Sequence, residues 1–476
     1  MRTSPLLTDL YELTMLAGYL QEGLSEEPAT FDLFFRSNPF EGGYAVFAGL
    51  EPALAALEQL RFAEDELAYL KSLNLFRPAF LDYLRTFRFR GTVVAPPEGT
   101  VVFANTPLLS VSGTLAEAQF VETLLLNLVN FSTLVATKAA RIVHAAGDDA
   151  SVLEFGLRRA QGPDGGLTVA RAACIGGVTS TSNVLAGQTF GLPLRGTHAH
   201  SWVMAFPDEL AAFRAYADAF PHNCILLIDT YDTLQSGLPH ALAVAAELRA
   251  QGHELYGVRI DSGDLAYLSR EVRQAFDRAG YPAVKIVASN ELDEFVIDSI
   301  RDEGGCVDIY GVGTRLATCA GRGGGALGGV YKLVECCGLP RLKVTSDMAK
   351  ATLPGRKRVL RAINPDGGYL QDILALDVDD PLAPGDTVYD PSNPLQHTLL
   401  AATATLRDLR TAVMVDGKRT RVAEPLDALT ARCREELARL PQGCLRFINP
   451  HRYKVSLSPT LNALRNQLIA ERSSTI

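Results

Sequence analysis

Six short apolar runs between residues 151 and 313 each stop at a polar residue or a glycine, and this recurrence constrains the fold more than any other feature. Ser151 to Leu153 stops at Glu154, Leu192 to Leu194 runs on to Thr197, Cys224 to Ile228 stops at Asp229, Leu255 to Ile260 at Asp261, Val284 to Ala288 at Ser289, and Val307 to Val312 at Gly313. The stopping points lie 24 to 43 residues apart, the spacing of successive strand–helix units. The segments between carry helical patterning: Leu265, Leu268, Val272 and Phe276 share one face, as do Leu292, Phe295, Val296 and Ile300. Asp261 with Asp264, and Asn290 with Asp293, stand at the spacing of a helix cap. With Leu327 to Val334 and Leu342 to Thr345 as further strands, the pattern predicts a closed or nearly closed, irregular TIM-like α/β barrel. A doubly wound open sheet is the alternative.

The flanks have another texture. Before residue 130, Leu7 to Glu22 reads as a helix with Leu10, Leu13, Thr14 and Ala17 on one face, and Phe31 to Phe35 reads as a strand. Short strands follow between Gly91 and Gly113. A long segment, Thr114 to Ala145, is apolar on nearly every face and is expected to be buried between domains. After 355 the rhythm stops; Asp379 to Pro394 reads as a loop, followed by helices around Leu426 to Leu440 and from Ser458 onward. The expected organisation is an α+β sandwich domain at 1–130, a barrel domain at 131–354, and a region at 355–476 packing on the sandwich.

Net charge of −9 argues against a broad nucleic-acid surface, so an anionic ligand needs a local pocket. The longest uncharged stretch, Ala172 to Leu194, is too rich in Gly, Ser, Thr and Asn to span a membrane. Eight scattered cysteines without paired metal-ligand spacing, and no signal-peptide pattern, suit a reduced cytoplasmic protein.

The polar residues that end the six runs should gather at one edge of the sheet, where α/β proteins bind ligands. Gly196 to Trp202 holds two of the eight histidines and the only tryptophan. A histidine there can act as acid, base or nucleophile, or can simply satisfy loop backbone. Arg259 lies inside an apolar run and needs an anionic partner, supplied by Asp261, by Glu154 or by a ligand carboxylate. Arg158 and Arg159 follow Glu154, and two adjacent arginines either grip an anion or remain surface charges. Ser289-Asn290 and Gly311-Val312-Gly313-Thr314 occupy late strand ends, where backbone N–H groups commonly hold phosphate. Asp229 and Asp232 either bind Mg²⁺ or ribose hydroxyls, or cap a helix. Tyr11 is an aromatic ring beside polar groups, a residue that by itself is more often part of a core.

These stretches resemble the nicotinate phosphoribosyltransferases. The matching segments are Leu6 to Met15, Phe34 to Arg36, Tyr44 to Leu50, Glu154 to Asp164, Gly196 to Trp202, Gly257 to Leu265, Gly311 to Thr314, Gly328 to Leu333 and Asn449 to His451, in order along nearly the whole chain. The resemblance implies an α/β sandwich joined to an irregular α/β barrel, in a homodimer with active sites at the interface. It implies a reaction of nicotinate with 5-phosphoribosyl 1-diphosphate giving nicotinate mononucleotide and diphosphate. ATP hydrolysis is coupled through a phosphohistidine, with Mg²⁺ as cofactor, in NAD salvage. It makes His200 the phosphorylated histidine and Thr197 and Arg259 nicotinate contacts. It makes Tyr11 a ring that stacks on the pyridine from the partner subunit, and Gly313 and Thr314 the 5-phosphate site. Arg158 and Arg36 would bind substrate and diphosphate respectively. His198 receives no catalytic role, because relatives often carry an apolar residue there. A nicotinamide or quinolinate enzyme would keep the fold with a different pocket chemistry, and a non-catalytic dimer would keep the pocket to bind a nucleotide or metabolite as a sensor.

Overall fold

The six parallel strands form, but one is not where its apolar character placed it. In the structure, a computed structural model describing residues 3–343, 352–377, 380–393 and 396–473, they are Ser151–Glu154, Ser180–Thr181, Ile225–Leu227, Gly257–Ile260, Lys285–Ala288 and Ile309–Val312. Leu192 to Leu194 contributes only a single parallel bridge, Leu194 to Thr181. Pro193 has no N–H to give to a ladder. Its carbonyl accepts from Thr181 N–H at 3.1 Å, and Arg195 N–H returns to the Thr181 carbonyl at 3.1 Å.

Across the sheet the order runs 180–181, 151–154, 309–312, 285–288, 257–260, 225–227, with every neighbour parallel. Leu153 of the second strand and Ile225 of the last share one buried cluster with Val287, Ile309 and Phe155. Three strands separate them in the sheet, so the sheet is strongly curled. The outer face is covered by helices such as Leu265–Arg278, which buries Leu265, Ala266, Val272 and Phe276 and gains about 1.5–3 kcal/mol per large side chain. The helix Glu294–Asp302 buries Ile297 and Ile300, while Val296, expected inside, is 39% exposed. Buried Glu294 takes hydrogen bonds from Lys138 and Arg141, and that ion pair turns the helix away from its purely apolar face.

These strands and helices form one compact unit, Val135–Gly325, the second along the chain; the first unit comprises Met1–Leu134 with Ala326–Ile476. The helix Glu122–Ala146 crosses the division; it is long and apolar enough to span a membrane, and 67% of its most apolar window is buried. Residues 326–343 and 352–354 belong to the first unit, not to the barrel region. Gly329–Cys336, which covers most of the expected barrel strand at Leu327 to Val334, pairs antiparallel with Pro28–Phe35. Leu342 and Lys343 are in no strand, and Ser346 and the preceding Val344 and Thr345 lie outside the described residues.

The first unit holds a seven-stranded antiparallel sheet and a six-stranded mixed sheet. The expectation of only helices after residue 355 is corrected by eight strands among the described residues, including Lys357–Ile363, Tyr369–Leu376, Thr411–Val415 and Lys454–Leu457. Thr387–Tyr389 lies inside the expected loop, whose end residues Asp379 and Pro394 are outside the described set. Charge inside the sheet hid its alternation. Arg361, fully buried, donates to both Asp372 oxygens at 2.8 Å and to Glu436 at 2.7 Å. The N-terminal helix, Leu10–Gln21, differs similarly: it buries Glu12, Leu13 and Leu16, while Leu10 is 54% exposed.

Arg361→Met is expected to cost about 3–5 kcal/mol, because buried Asp372 loses its counter-charge and Glu436 is left with Arg407 alone. Replacing Asp372 and Glu436 with leucine as well should recover much of that loss. The midpoint of denaturant unfolding checks both; a single variant as stable as the parent would contradict the buried network.

Candidate functional site

Helix caps decide which acids are free to build a site. Asp264, Asp293 and Asp232 are the N-caps of the segments that follow three strands, accepting backbone N–H bonds at 2.8–3.0 Å. Asp261, Asn290 and Asp229, given a capping reading from sequence, are therefore not the caps. Asn290 instead adopts φ 105, Asp229 turns to the loop of Asp261 and Ser262, and Asp261 turns to Arg259 and Ser289.

Arg259 is the hub. Its side chain is 12% exposed. Nε donates to Ser289 Oγ at 2.8 Å, one terminal nitrogen to Thr197 Oγ1 at 2.8 Å and the other to Asp261 Oδ1 at 2.9 Å. Of its partners anticipated in the sequence, Asp261 is present, whereas Glu154 is buried elsewhere, accepting from the Thr181 hydroxyl at 2.5 Å and from Gly156 N–H. Burial raises the Glu154 pKa against those two bonds. A guanidinium carries five N–H donors; three anchor Arg259, and each terminal nitrogen keeps one more for a ligand.

Asp261 is held as firmly. Ser289 Oγ donates to it, and its own backbone N–H donates to Asp229 Oδ2 at 3.0 Å, which also accepts from Ser262 Oγ at 2.5 Å. Burial works to raise the Asp261 pKa, but the Ser289 hydroxyl and Arg259 outweigh it, so the group lies below the usual carboxylate value. Asp229 Oδ1 is buried without a hydrogen-bond partner, an acceptor still available at the same edge.

The two histidines separate clearly. His200 begins the short helix His200–Met204, its side chain 41% exposed. Its Nδ1 lies 3.1 Å from Thr230 Oγ1 and its Nε2 3.8 Å from Asp261 Oδ2. His198 is 7% exposed; its Nε2 accepts Leu227 N–H at 3.1 Å, and its ring packs edge-on against Tyr216 at 4.7 Å. Burial pushes its pKa down to about 4, so the ring is a neutral brace between loop and strand.

A depressed histidine contributes its stability in full above the unfolded value near 6.5 and loses it as pH falls toward 4. About 2 kcal/mol should therefore disappear between pH 7 and pH 5 through this group. The His198→Gln variant should show a shallower pH dependence of its unfolding midpoint over that interval. An unchanged slope would rule out His198 as its source.

A cavity of about 260 Å³ opens beside this centre within the curled sheet, lined by Phe155, Arg195, Thr197 and Tyr256 among others. It is smaller than the roughly 300–1,000 Å³ of drug-sized sites and suits one small ring. Gly311 keeps the wall close: a Cβ there would lie 2.7 Å from the Phe155 ring. Gly313 ends its strand, and Thr314 opens the turn Thr314–Ala317, donating to Glu291 at 3.2 Å.

Thr197, His200, Arg259, Gly313 and Thr314 all belong to this one unit. Arg158 does too, exposed on the turn Leu157–Arg159. Tyr11, 44% exposed, and Arg36, half-buried, belong to the other unit. Sequence reading gave no site role to Thr230, gave Ser289 only a phosphate-loop reading through its backbone and not the hydroxyl contacts to Arg259 and Asp261, and gave Asp261 none beyond pairing with Arg259 or capping. Their signal was position at a strand end; orientation, which spacing does not encode, decides their use. Among the described residues no three His, Cys, Asp or Glu side chains are placed to hold a metal ion.

Comparison with known proteins fits this geometry. Three profiles match: the nicotinate phosphoribosyltransferase N-terminal domain over residues 6–130, the nicotinate phosphoribosyltransferase family over 150–364, and the C-terminal domain over 356–465. The Homo sapiens nicotinate phosphoribosyltransferase is 39% identical, the alignment covering 98% of this chain and 97% of that protein. The Bacillus subtilis one is 45% identical over 78% of this chain and 75% of that protein. The crystal structure of human nicotinic acid phosphoribosyltransferase superposes with a TM-score of 0.87 at 36% identity, covering 97% of this chain and 99% of that one.

Proposed function

Because the chain belongs to the nicotinate phosphoribosyltransferase family, we propose that Arg259 holds the nicotinate carboxylate and that His200 carries the phosphoryl group linking ATP to the reaction. The enzyme joins nicotinate to 5-phosphoribosyl 1-diphosphate in NAD salvage, releasing diphosphate, with ATP as co-substrate. The observation that carries the binding reading is the half-used guanidinium: Ser289, Thr197 and Asp261 fix its plane and leave one N–H on each terminal nitrogen. Two such donors in one plane match a carboxylate. Thr197, which lines the cavity, places that carboxylate so that the pyridine ring lies inside.

Transfer of the ribosyl group passes through a cationic, oxocarbenium-like centre as diphosphate leaves. The protein's task is to aim the pyridine nitrogen at that carbon and keep water away, not to supply a strong base. The backbone N–H groups at Gly313 and Thr314, with the Thr314 hydroxyl, would hold the 5-phosphate. Arg158 would take substrate oxygens, and Arg36 the diphosphate. Tyr11, exposed, would stack on the pyridine from the partner subunit of a homodimer.

His200 is an exposed nucleophile with both nitrogens assigned. The Asp261 carboxylate near Nε2 favours a proton there, so Nδ1 carries the lone pair; the Thr230 hydroxyl that holds it in the resting state rotates away, and Nδ1 attacks the γ-phosphorus of ATP as ADP leaves. Phosphate on His200 adds negative charge beside the substrate site, and its hydrolysis to inorganic phosphate returns the free form. The donor set does not make a resident Mg²⁺ site among the described residues, so no step is assigned to one; a diphosphate or ATP brings Mg²⁺ with it as part of the substrate. The curled parallel sheet is consistent with an irregular, TIM-like barrel. The eight free cysteines suit a reducing compartment such as the cytoplasm.

Turnover of nicotinate, nicotinamide and quinolinate by the purified chain tests the substrate reading. Nicotinate should be preferred at least about a hundredfold in kcat/KM, the effect of roughly 3 kcal/mol. Equal use of nicotinamide would sink the role of Arg259, and preference for quinolinate would assign Arg195, on the cavity wall, to a second carboxylate.

A further inference from the structure

In a chain of net charge −9, a buried concentration of cations calls for a reason. One lies where the two sheets of the first unit meet, around a cavity of about 360 Å³ lined by Arg356, Lys357, Arg358 and Arg410 and only two carboxylates, Asp377 and Asp408. Arg356 is paired with Asp377 at 3.0 Å, and Lys357 Nζ lies 3.0 Å from buried Asp32. Two guanidinium groups remain that no described carboxylate pairs.

Arg410 is 5% exposed. Its terminal nitrogens donate to the Ser110 hydroxyl at 2.7 Å and to the Lys357 carbonyl, and its Nε has no partner. Arg358 donates from Nη2 to the Asp380 carbonyl at 3.0 Å, and its Nε is likewise buried without a partner. A buried cation satisfied only by neutral acceptors carries a desolvation cost of several kcal/mol; burial indeed pushes the Arg410 pKa down against the pull of Asp32 and Asp408. Hydroxyls complete the wall, with Thr30 and Ser112 bonded to each other at 2.9 Å. Delocalised guanidinium charge beside hydroxyl donors is the chemistry that receives phosphate oxygens.

We propose that this cavity is a second anion site, which takes a small phosphate-bearing ligand at Arg358 and Arg410. None of its lining residues is among the substrate-site residues Tyr11, Arg36, Arg158, Thr197, His200, Arg259, Gly313 and Thr314, so the ligand it takes is assigned the role of effector. Isothermal titration of the intact chain with inorganic phosphate, and separately with ATP, reads the site. Arg358→Gln should weaken one class of phosphate binding at least about tenfold and leave kcat in the absence of added phosphate within about twofold, while Arg358→Lys restores part of the affinity. Arg410→Gln should act in the same direction. Because Arg410 is fully enclosed and its variant can fail to fold, half-buried Arg358 carries the decision. Loss of ATP affinity alongside phosphate identifies a nucleotide ligand; loss of phosphate alone identifies the inorganic ion. Titrations of Arg358→Gln that superimpose on the unmodified chain for both probes overturn the proposal.

Discussion

Replacing Arg259 with methionine is expected to raise the KM for nicotinate about a hundredfold while kcat falls much less. The two N–H donors that face the ligand form charge-assisted bonds, and losing a buried bidentate contact costs roughly 3 kcal/mol. The variant also leaves Asp261 without its counter-charge, so the effect has a structural component. The double variant Arg259→Met with Asp261→Asn removes that component and should still show the raised KM. Selectivity separates the two more sharply. If the guanidinium reads the carboxylate, the ratio of nicotinate to nicotinamide turnover collapses in both variants; a ratio that persists would mean that Arg259 only braces the loop carrying Thr197.

His200→Ala is expected to abolish ATP stimulation rather than the transfer itself. Binding and orientation of nicotinate and the ribosyl donor rest on other residues, so product should still form at the rate seen without ATP. The acid-labile, base-stable phosphate expected on the unmodified chain should be absent. Thr230→Val, which removes the 3.1 Å contact to Nδ1, should lower phosphorylation while leaving the rate without ATP unchanged. Persistent acid-labile phosphate on His200→Ala would move the phosphoryl acceptor to another residue.

The rim of the parallel sheet was legible because each strand there is a compact apolar run with a polar end, and Glu154, Asp229, Asp261, Ser289 and Gly313 all stand at such ends. Ser180–Thr181 was not, since two hydroxyl residues make a strand only by borrowing backbone bonds from Leu153, Glu154 and the 193–195 segment. The sheets after residue 355 were hidden by the charges they enclose. A pattern reader sees Arg361, Asp372 and Lys357 as surface, yet each is buried in an ion pair. Within the site, spacing named Arg259 and its partner Asp261 but not the hydroxyls of Thr230 and Ser289, whose roles depend on side-chain direction. For His198 the resemblance already withheld a catalytic role; its contacts with Leu227 and Tyr216 give the physical reason, that the ring is a brace.

The most direct test of the account is the yield of nicotinate mononucleotide from nicotinate and 5-phosphoribosyl 1-diphosphate, measured with and without ATP, together with the phosphate bound to the protein. ATP should raise the rate and yield, and acid-labile phosphate should map to His200. Mononucleotide formation unaffected by ATP, with no phosphate on His200, would contradict the coupling of the Arg259 and His200 centre to ATP.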